Sequence, residues 1–471
     1  MCIRDSYKGN KLGTILDLDA TAQIQKLRLK EISSKELMEA TLDRIESINP
    51  RVNAIVSLQD REMLLNNASK TFRGPLYGLP MAIKDLEETK GITTTFGSPI
   101  YRDYKPNFDS NMVKNIKAAG GIIIGKTNVP EFGLGSHTYN SVFGKTLNPY
   151  NLTKTCGGSS GGAAVALATN MISLGDGSDM MGSLRNPASW CNIFGFRPSF
   201  GLVPNGLNSE VFLNQISTNG PMARSVRDIE LLLSIQSKLD PSDPHSHGPY
   251  ESAQRTSKKY KIAWLGNWGG AYQIDPVIIK KCEEALNVLE AQGHQIVEPK
   301  PIFSADLLWE SWTTLRSWTL SEKHRGNYTN PLERALLKPE VIWETEKGLA
   351  LTPEDIFKAS KIRSDWFKET SRMSYDALVL PSTQVFPFST DMNWPSQILD
   401  KEMDTYHRWM EVVIPASLTG LPSISVPVGF GPDNTPVGMQ LIGHRRNDAN
   451  ILALAKQYES DCVWLQEKPN L

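Results

Sequence analysis

Several absences narrow the reading of this 471-residue chain before any motif is considered. No run of 18 or more apolar residues occurs, so nothing in it reads as a membrane-spanning helix. No charge of one sign dominates: 50 Lys+Arg against 51 Asp+Glu leave a net charge of −1, scattered without a basic block or an acidic tail. That balance offers no electrostatic footprint for nucleic acid or an anionic membrane surface. The five cysteines are odd in number, and no CxxC occurs. A disulfide framework is therefore not expected, and a reducing, cytoplasmic compartment is. The seven histidines contain no HExxH, and His245 and His247 sit in a turn-rich stretch, so no metal and no organic cofactor is expected. The opening MCIRDSYKGNKLG has no apolar core and so does not read as a secretory signal. It fits poorly with the rest of the chain and resembles an assembly or cloning remnant, so residues 1–12 are set apart from the fold.

What is present is an alternation of helical and strand patterns. Ser33 and Glu36 form a capping box, and Leu37, Met38, Leu42, Ile45 and Ile48 make one apolar stripe, which predicts a helix over 33–48 stopped by Pro50. Short apolar runs at 81–83, 121–124, 261–265, 295–297, 376–380 and 423–426 read as buried strands. Residues 113–119, 163–168, 276–291 and 451–458 read as helices, and 300–370 as a tryptophan-bearing helical region. Such alternation favours an α/β fold with a mixed central sheet covered by helices. The expected domain is a single large one over 13–465, with a variable helical subregion at about 225–370.

Two glycine-rich loops stand out. TCGGSSGGAA spans 155–164, and GDGSDMMGSLR spans 175–185. The first does not end in the Gly-Lys-Ser/Thr of a nucleotide-binding loop, and no GxGxxG follows a strand. Glycine beside a serine lets the backbone turn sharply and lets a substrate approach N–H groups, which can bind a developing oxyanion. A serine needs a base to become a useful nucleophile, and a desolvated lysine can be that base. By composition alone, a pair of tight turns and a surface lysine explains the same residues.

Spacing changes the balance. Met81-Ala-Ile-Lys-Asp85, then Thr155 to Gly162, then Gly177-Ser-Asp-Met-Met-Gly-Ser-Leu-Arg-Asn-Pro187 resemble, in order, the motifs of the amidase signature family. The intervals are 75 residues from Lys84 to Ser159 and 24 from Ser159 to Ser183. The resemblance extends through Gly125-Lys-Thr-Asn128, Gly195-Phe-Arg-Pro198, Gly420 to Pro427 and Pro436 to Gly443. It is strong over about 75–205 and 376–455 and loose over 225–370.

The resemblance implies an amidase that cleaves a linear carboxamide C–N bond through a serine acyl-enzyme. It makes Ser183 the nucleophile, Ser159 the bridging serine after a cis Gly158–Ser159 peptide bond, and Lys84 the neutral, buried base. The N–H groups of Met180, Met181, Gly182 and Ser183 would form the oxyanion hole. Asp179 and Arg185 are expected to brace the loops, as is Asp85. Two positions depart from the family pattern. Met181 stands where the first of two glycines is usual, and an ordinary φ is expected there. Cys156 stands where proline is frequent and reads as a small buried residue.

For the substrate, Met181, Tyr139, Trp190 and Trp394 are candidate pocket residues, while most of the tryptophans at 309, 312, 318, 343, 366 and 394 are expected in the core. An uncharged amide with an apolar or aromatic acyl group is favoured, acting on a small molecule with no nucleic acid, no membrane and a monomeric or homodimeric enzyme. The alternatives are the glutaminase component of a transfer-RNA-dependent amidotransferase, and an inactive amidase-like binding scaffold.

Overall fold

A computed structural model describes residues 15–205, 210–213, 215–253 and 258–471. The reading of residues 1–12 as a remnant lies outside them. The helix predicted from the capping box is α1, Ser34–Val52, with both reciprocal cap bonds formed by Ser33 and Glu36. It does not stop at Pro50. Proline in a last turn forfeits one backbone bond, and the chain leaves the helix three residues later at Asn53 (φ 53°), whose N–H still reaches Asn49 O at 2.7 Å.

A small sheet precedes the main one. Its strands are β1 (Ile55–Val56), β2 (Pro80–Lys84) and β3 (Ile122–Thr127), in the order β1-β3-β2, with β2 and β3 parallel. Every side chain of β2 and β3 is buried. This explains why both read as continuous apolar runs rather than alternating ones. Residues 120–127 spell GxxxxGK[ST], the letters of a phosphate-binding loop. They form strand instead, and Lys126 Nζ is spent on Glu87 O and on Thr89 Oγ1 at 3.0 Å.

The main sheet has eight strands: β4 (Leu174–Asp179), β5 (Phe194–Arg197), β6 (Thr218–Ala223), β7 (Lys261–Trp264), β8 (Gln295–Val297), β9 (Ala377–Pro381), β10 (Ser423–Phe430) and β11 (Pro436–Ile442). Their order is β8-β7-β9-β11-β10-β5-β6-β4. The pairs β8/β7 and β7/β9 are parallel and the rest antiparallel, so the sheet is mixed, as the sequence predicts. The strands β7 and β8 lie within the 225–370 stretch and extend the main sheet; the helices of that stretch include α6 (Ala305–Thr329), α7 (Pro339–Leu349) and α8 (Pro353–Arg372). Helices α2 (Asn111–Ala118), α3 (Gly161–Ala168), α4 (Arg185–Trp190), α5 (Pro276–Ala291) and α9 (Asp448–Ser460) are among those that add to the cover.

The expected second glycine loop is only half a loop. Its first part, from Leu174 to Asp179, is the edge strand β4, paired residue for residue with β6. Glycine is needed there for space rather than for a turn: a Cβ on Gly177 would lie 2.6 Å from Leu184 Cδ2 and 2.7 Å from Ser160 Oγ. No helix among the described residues is long and apolar enough to cross a membrane.

Candidate active site

Three separate segments converge because two sheet edges meet. The edge strand β2 ends at Lys84, and the backbone N–H of Lys84 donates to the Asp176 carboxylate of β4 at 3.1 Å. A side chain thus bridges the small sheet to the large one and sets Lys84 beside the second motif. The chain between β3 and β4 carries TCGGSSGG, which turns through Gly157 (φ 80°) into the all-buried helix α3. The Gly158–Ser159 peptide bond is cis, as the family resemblance implies.

Lys84 is fully buried. Its Nζ lies 2.8 Å from Ser159 Oγ, 2.7 Å from Ser160 Oγ and 3.0 Å from Ser178 Oγ. Burial pulls its pKa down to about 7, although Asp176, Asp179 and Glu87 all favour the charged form. Sequence reasoning missed Ser160 and Ser178 as partners of the lysine; Ser178 lies in the third motif, and its place there is the signal that points to it. Ser159 and Ser183 both open onto one cavity, which Ser160 does not line. Ser159 and Ser183 are not hydrogen-bonded to each other, and catalytic hydrogen bonds often tighten only once substrate is bound.

The Ser183 loop is held from below. Asp179 accepts from Gly182 N at 2.9 Å and Leu184 N at 3.2 Å, and it pairs with Arg185 at 3.0 Å and Arg197 at 3.1 Å. All three charged side chains are fully buried. Burial alone would raise the Asp179 carboxyl, but the two arginines outweigh it and hold the group well below the usual carboxylate range. Arg185 continues to Gln440 Oε1 at 2.6 Å and Ser417 Oγ at 2.6 Å, tying the loop to the far strand β11. Asp85 is likewise engaged, accepting from Thr95 N and Thr95 Oγ1.

One correction concerns the oxyanion segment. Gly182 N is committed to Asp179, so this N–H is not free for an oxyanion. The N–H groups of Met180, Met181 and Ser183 carry no hydrogen bond among the described residues. The positive φ of the segment falls at Gly182 (80°) and not at Met181. Cys156 is fully buried, and burial pushes its thiol up to about 12, which keeps it inert.

The cavity over Ser183 has a volume of about 440 Å³. Met180 and Met181 line it; Tyr139, Trp190 and Trp394 do not. Trp190 is buried and stacked on Trp409 at 5.7 Å, Tyr139 packs on His137, and Trp394 lies against Tyr406. The aromatic wall comes instead from Phe96, Tyr101, Tyr104 and Phe132, rings 5.2–6.2 Å apart. No periodic pattern marks these four rings, because they lie on irregular chain between β2 and β3 and just after it. Opposite stands one face of α6, including Arg316, Leu320 and His324.

Comparison with known proteins agrees with this architecture. The family model described as Amidase matches residues 36–452. An acylamidase of Rhodococcus erythropolis is 32% identical, over 96% of this chain and 97% of its own. Among solved structures, a bacterial aryl acylamidase of the amidase signature family superimposes with a TM-score of 0.87 at 25% identity, covering 95% of this chain and 97% of that one. A 6-aminohexanoate cyclic dimer hydrolase gives 0.85 at 25% identity, over 97% and 99%. Similarity of the same order links the chain to the glutamyl-tRNA(Gln) amidotransferases: the A-type polypeptide of the Desulfatibacillum aliphaticivorans enzyme is 30% identical, over 95% and 98%. The chain belongs to the amidase signature family. It is a hydrolase acting on amides.

Proposed function

We propose that the enzyme hydrolyses a linear carboxamide through an acyl-enzyme on Ser183, with Lys84 and Ser159 as its proton relay. The observation that carries this reading is a buried lysine 2.8 Å from Ser159, with Ser159 and Ser183 facing one cavity. Neutral Lys84 draws a proton from Ser159 as Ser159 draws one from Ser183, and the Ser183 oxygen attacks the carbonyl carbon. The N–H groups of Met180, Met181 and Ser183 receive the oxyanion. The proton returns by the same path to the departing nitrogen, the C–N bond breaks, and water then cleaves the ester by the reverse relay. The aromatic wall and the two methionines favour an uncharged amide with an apolar or aromatic group.

The test is covalent labelling by a serine-directed fluorophosphonate together with amide turnover. Ser183→Ala should abolish labelling, and Lys84→Ala should slow labelling and turnover by orders of magnitude with the far-ultraviolet dichroism unchanged. Absence of labelling in the wild type, or labelling retained in Ser183→Ala, overturns the reading. Glutamine hydrolysis that appears only when a partner protein is added would replace it.

A further inference from the structure

Arg316 stands where the helical region meets the Ser183 loop. It lies on α6, is almost fully buried, and lines the cavity. Its guanidinium is fixed on two edges. Nε donates to Glu344 Oε1 of α7 at 2.7 Å, and Nη2 donates to Tyr406 Oη at 2.8 Å. Glu344 is itself saturated, accepting from Tyr406 Oη at 2.8 Å and Ser317 Oγ at 2.6 Å. His407 also faces Glu344, at 3.7 Å, but burial pulls its pKa down to about 3, so it is neutral and Arg316 is the cation of the cluster. The third edge, Nη1, reaches Met180 Sδ at 3.0 Å. A thioether is a weak acceptor on a flexible, unbranched side chain. A buried guanidinium already held by two stronger partners gives that side chain one place to be.

We propose that Arg316 is a positioning residue, which, braced by Glu344 and Tyr406, holds Met180 through its sulfur and so fixes the first N–H of the oxyanion segment. The inference rests on the acyl-enzyme reading above. It also assigns a role to the region of the chain where family similarity is loosest: α6 and α7 tune the geometry of a loop built by the strongest motifs. A misplacement of about 1 Å in such a loop lowers rates by about 100-fold.

The experiment compares Arg316→Gln, Met180→Leu and their combination, each measured for kcat, KM, fluorophosphonate labelling rate and melting temperature. Met180→Leu keeps the volume, removes the sulfur and leaves the Arg316–Glu344 pair intact, so it tests the contact even if Arg316→Gln does not fold. The expected result is a fall in kcat of about 10-fold for Met180→Leu and about 100-fold for Arg316→Gln. Labelling should slow in parallel, with KM held within about threefold and the double variant no slower than Arg316→Gln alone. A wild-type kcat in Met180→Leu, multiplicative losses in the double variant, or a rise in KM with kcat unchanged overturns the proposal; the last would make Arg316 a substrate-binding group. Ser183→Ala runs alongside. Turnover that survives it removes the acyl-enzyme reading itself, which is a different failure from an unaffected Met180→Leu.

Discussion

At the scale of the residue, the proposed relay requires one lysine to be uncharged. Lys84 is surrounded by hydroxyls rather than by a carboxylate at contact distance, so burial prevails and its pKa falls to about 7. The protonated form cannot accept the Ser159 proton. The active fraction is therefore lost as pH falls through the folded-state value, about tenfold per unit below it. A profile of kcat/KM should show a single acid limb with its midpoint near 7; a flat rate down to pH 5 would contradict a neutral-lysine base. Gly182 carries the other residue-scale demand. Its φ is 80°, and a Cβ there would lie 2.8 Å from Asn186 Oδ1. Gly182→Ala should lower kcat by about 10-fold or more by moving the neighbouring Met181 and Ser183 N–H groups, checked by steady-state kinetics beside a melting curve. Met181→Gly should leave the acyl-enzyme chemistry competent, since position 181 has ordinary φ and the proposed oxyanion contact uses only its N–H. This explains how the chain replaces one glycine of the usual pair and keeps the other.

At the scale of the element, the site is a junction of edges, and that is where legibility in the sequence was uneven. The intervals from Lys84 to Ser159 and from Ser159 to Ser183 are written in the chain, and so is the capping box that starts α1. The strand β4 was hidden, because its glycines and aspartates carry no apolar signal; its partner β6 supplies the pairing that its own residues do not advertise. The helix α3 was legible from Ala163 onward, but its first two residues, Gly161 and Gly162, are glycine for packing reasons. A Cβ on Gly162 would lie 2.7 Å from both Ala54 O and Asn128 O, backbone atoms bordering the small sheet. Backbone cannot rotate out of the way as a side chain can. Gly162→Ala should therefore cost about 1–3 kcal/mol of stability, read by urea unfolding, and should loosen α3 from β3. An unchanged midpoint would show that helix and sheet are less tightly coupled than their geometry indicates.

At the scale of the whole molecule, the cavity is assembled from two unlike halves. The motif-bearing half supplies Ser159, Ser183 and the rings of Phe96, Tyr101, Tyr104 and Phe132, and α6 supplies the opposing face. Of the six tryptophans expected mostly in the core, Trp312 and Trp366 are fully buried, Trp309, Trp318 and Trp394 are half-buried against it, and Trp343 is exposed; none of the six lines the cavity. Pocket residues were the least readable part of the chain because convergence of an irregular segment on a distant helix leaves no local pattern. The rings that do line the cavity bear on the proposed preference for an aryl group. Tyr104 lies 6.2 Å from Phe96 in a stacked arrangement and 6.0 Å from Tyr101 edge-on, so a planar substrate group would meet a ready-made aromatic surface. Such contacts contribute about 0.5–1.5 kcal/mol beyond area burial. Tyr104→Ala should then raise KM for an aryl amide by about threefold to tenfold and leave that for a short aliphatic amide nearly unchanged. The isolated chain, assayed on its own with aliphatic, aryl and amino-acid amides, gives the comparison directly. Equal losses on aryl and aliphatic amides would mean that Tyr104 shapes the cavity as a whole and does not recognise the ring.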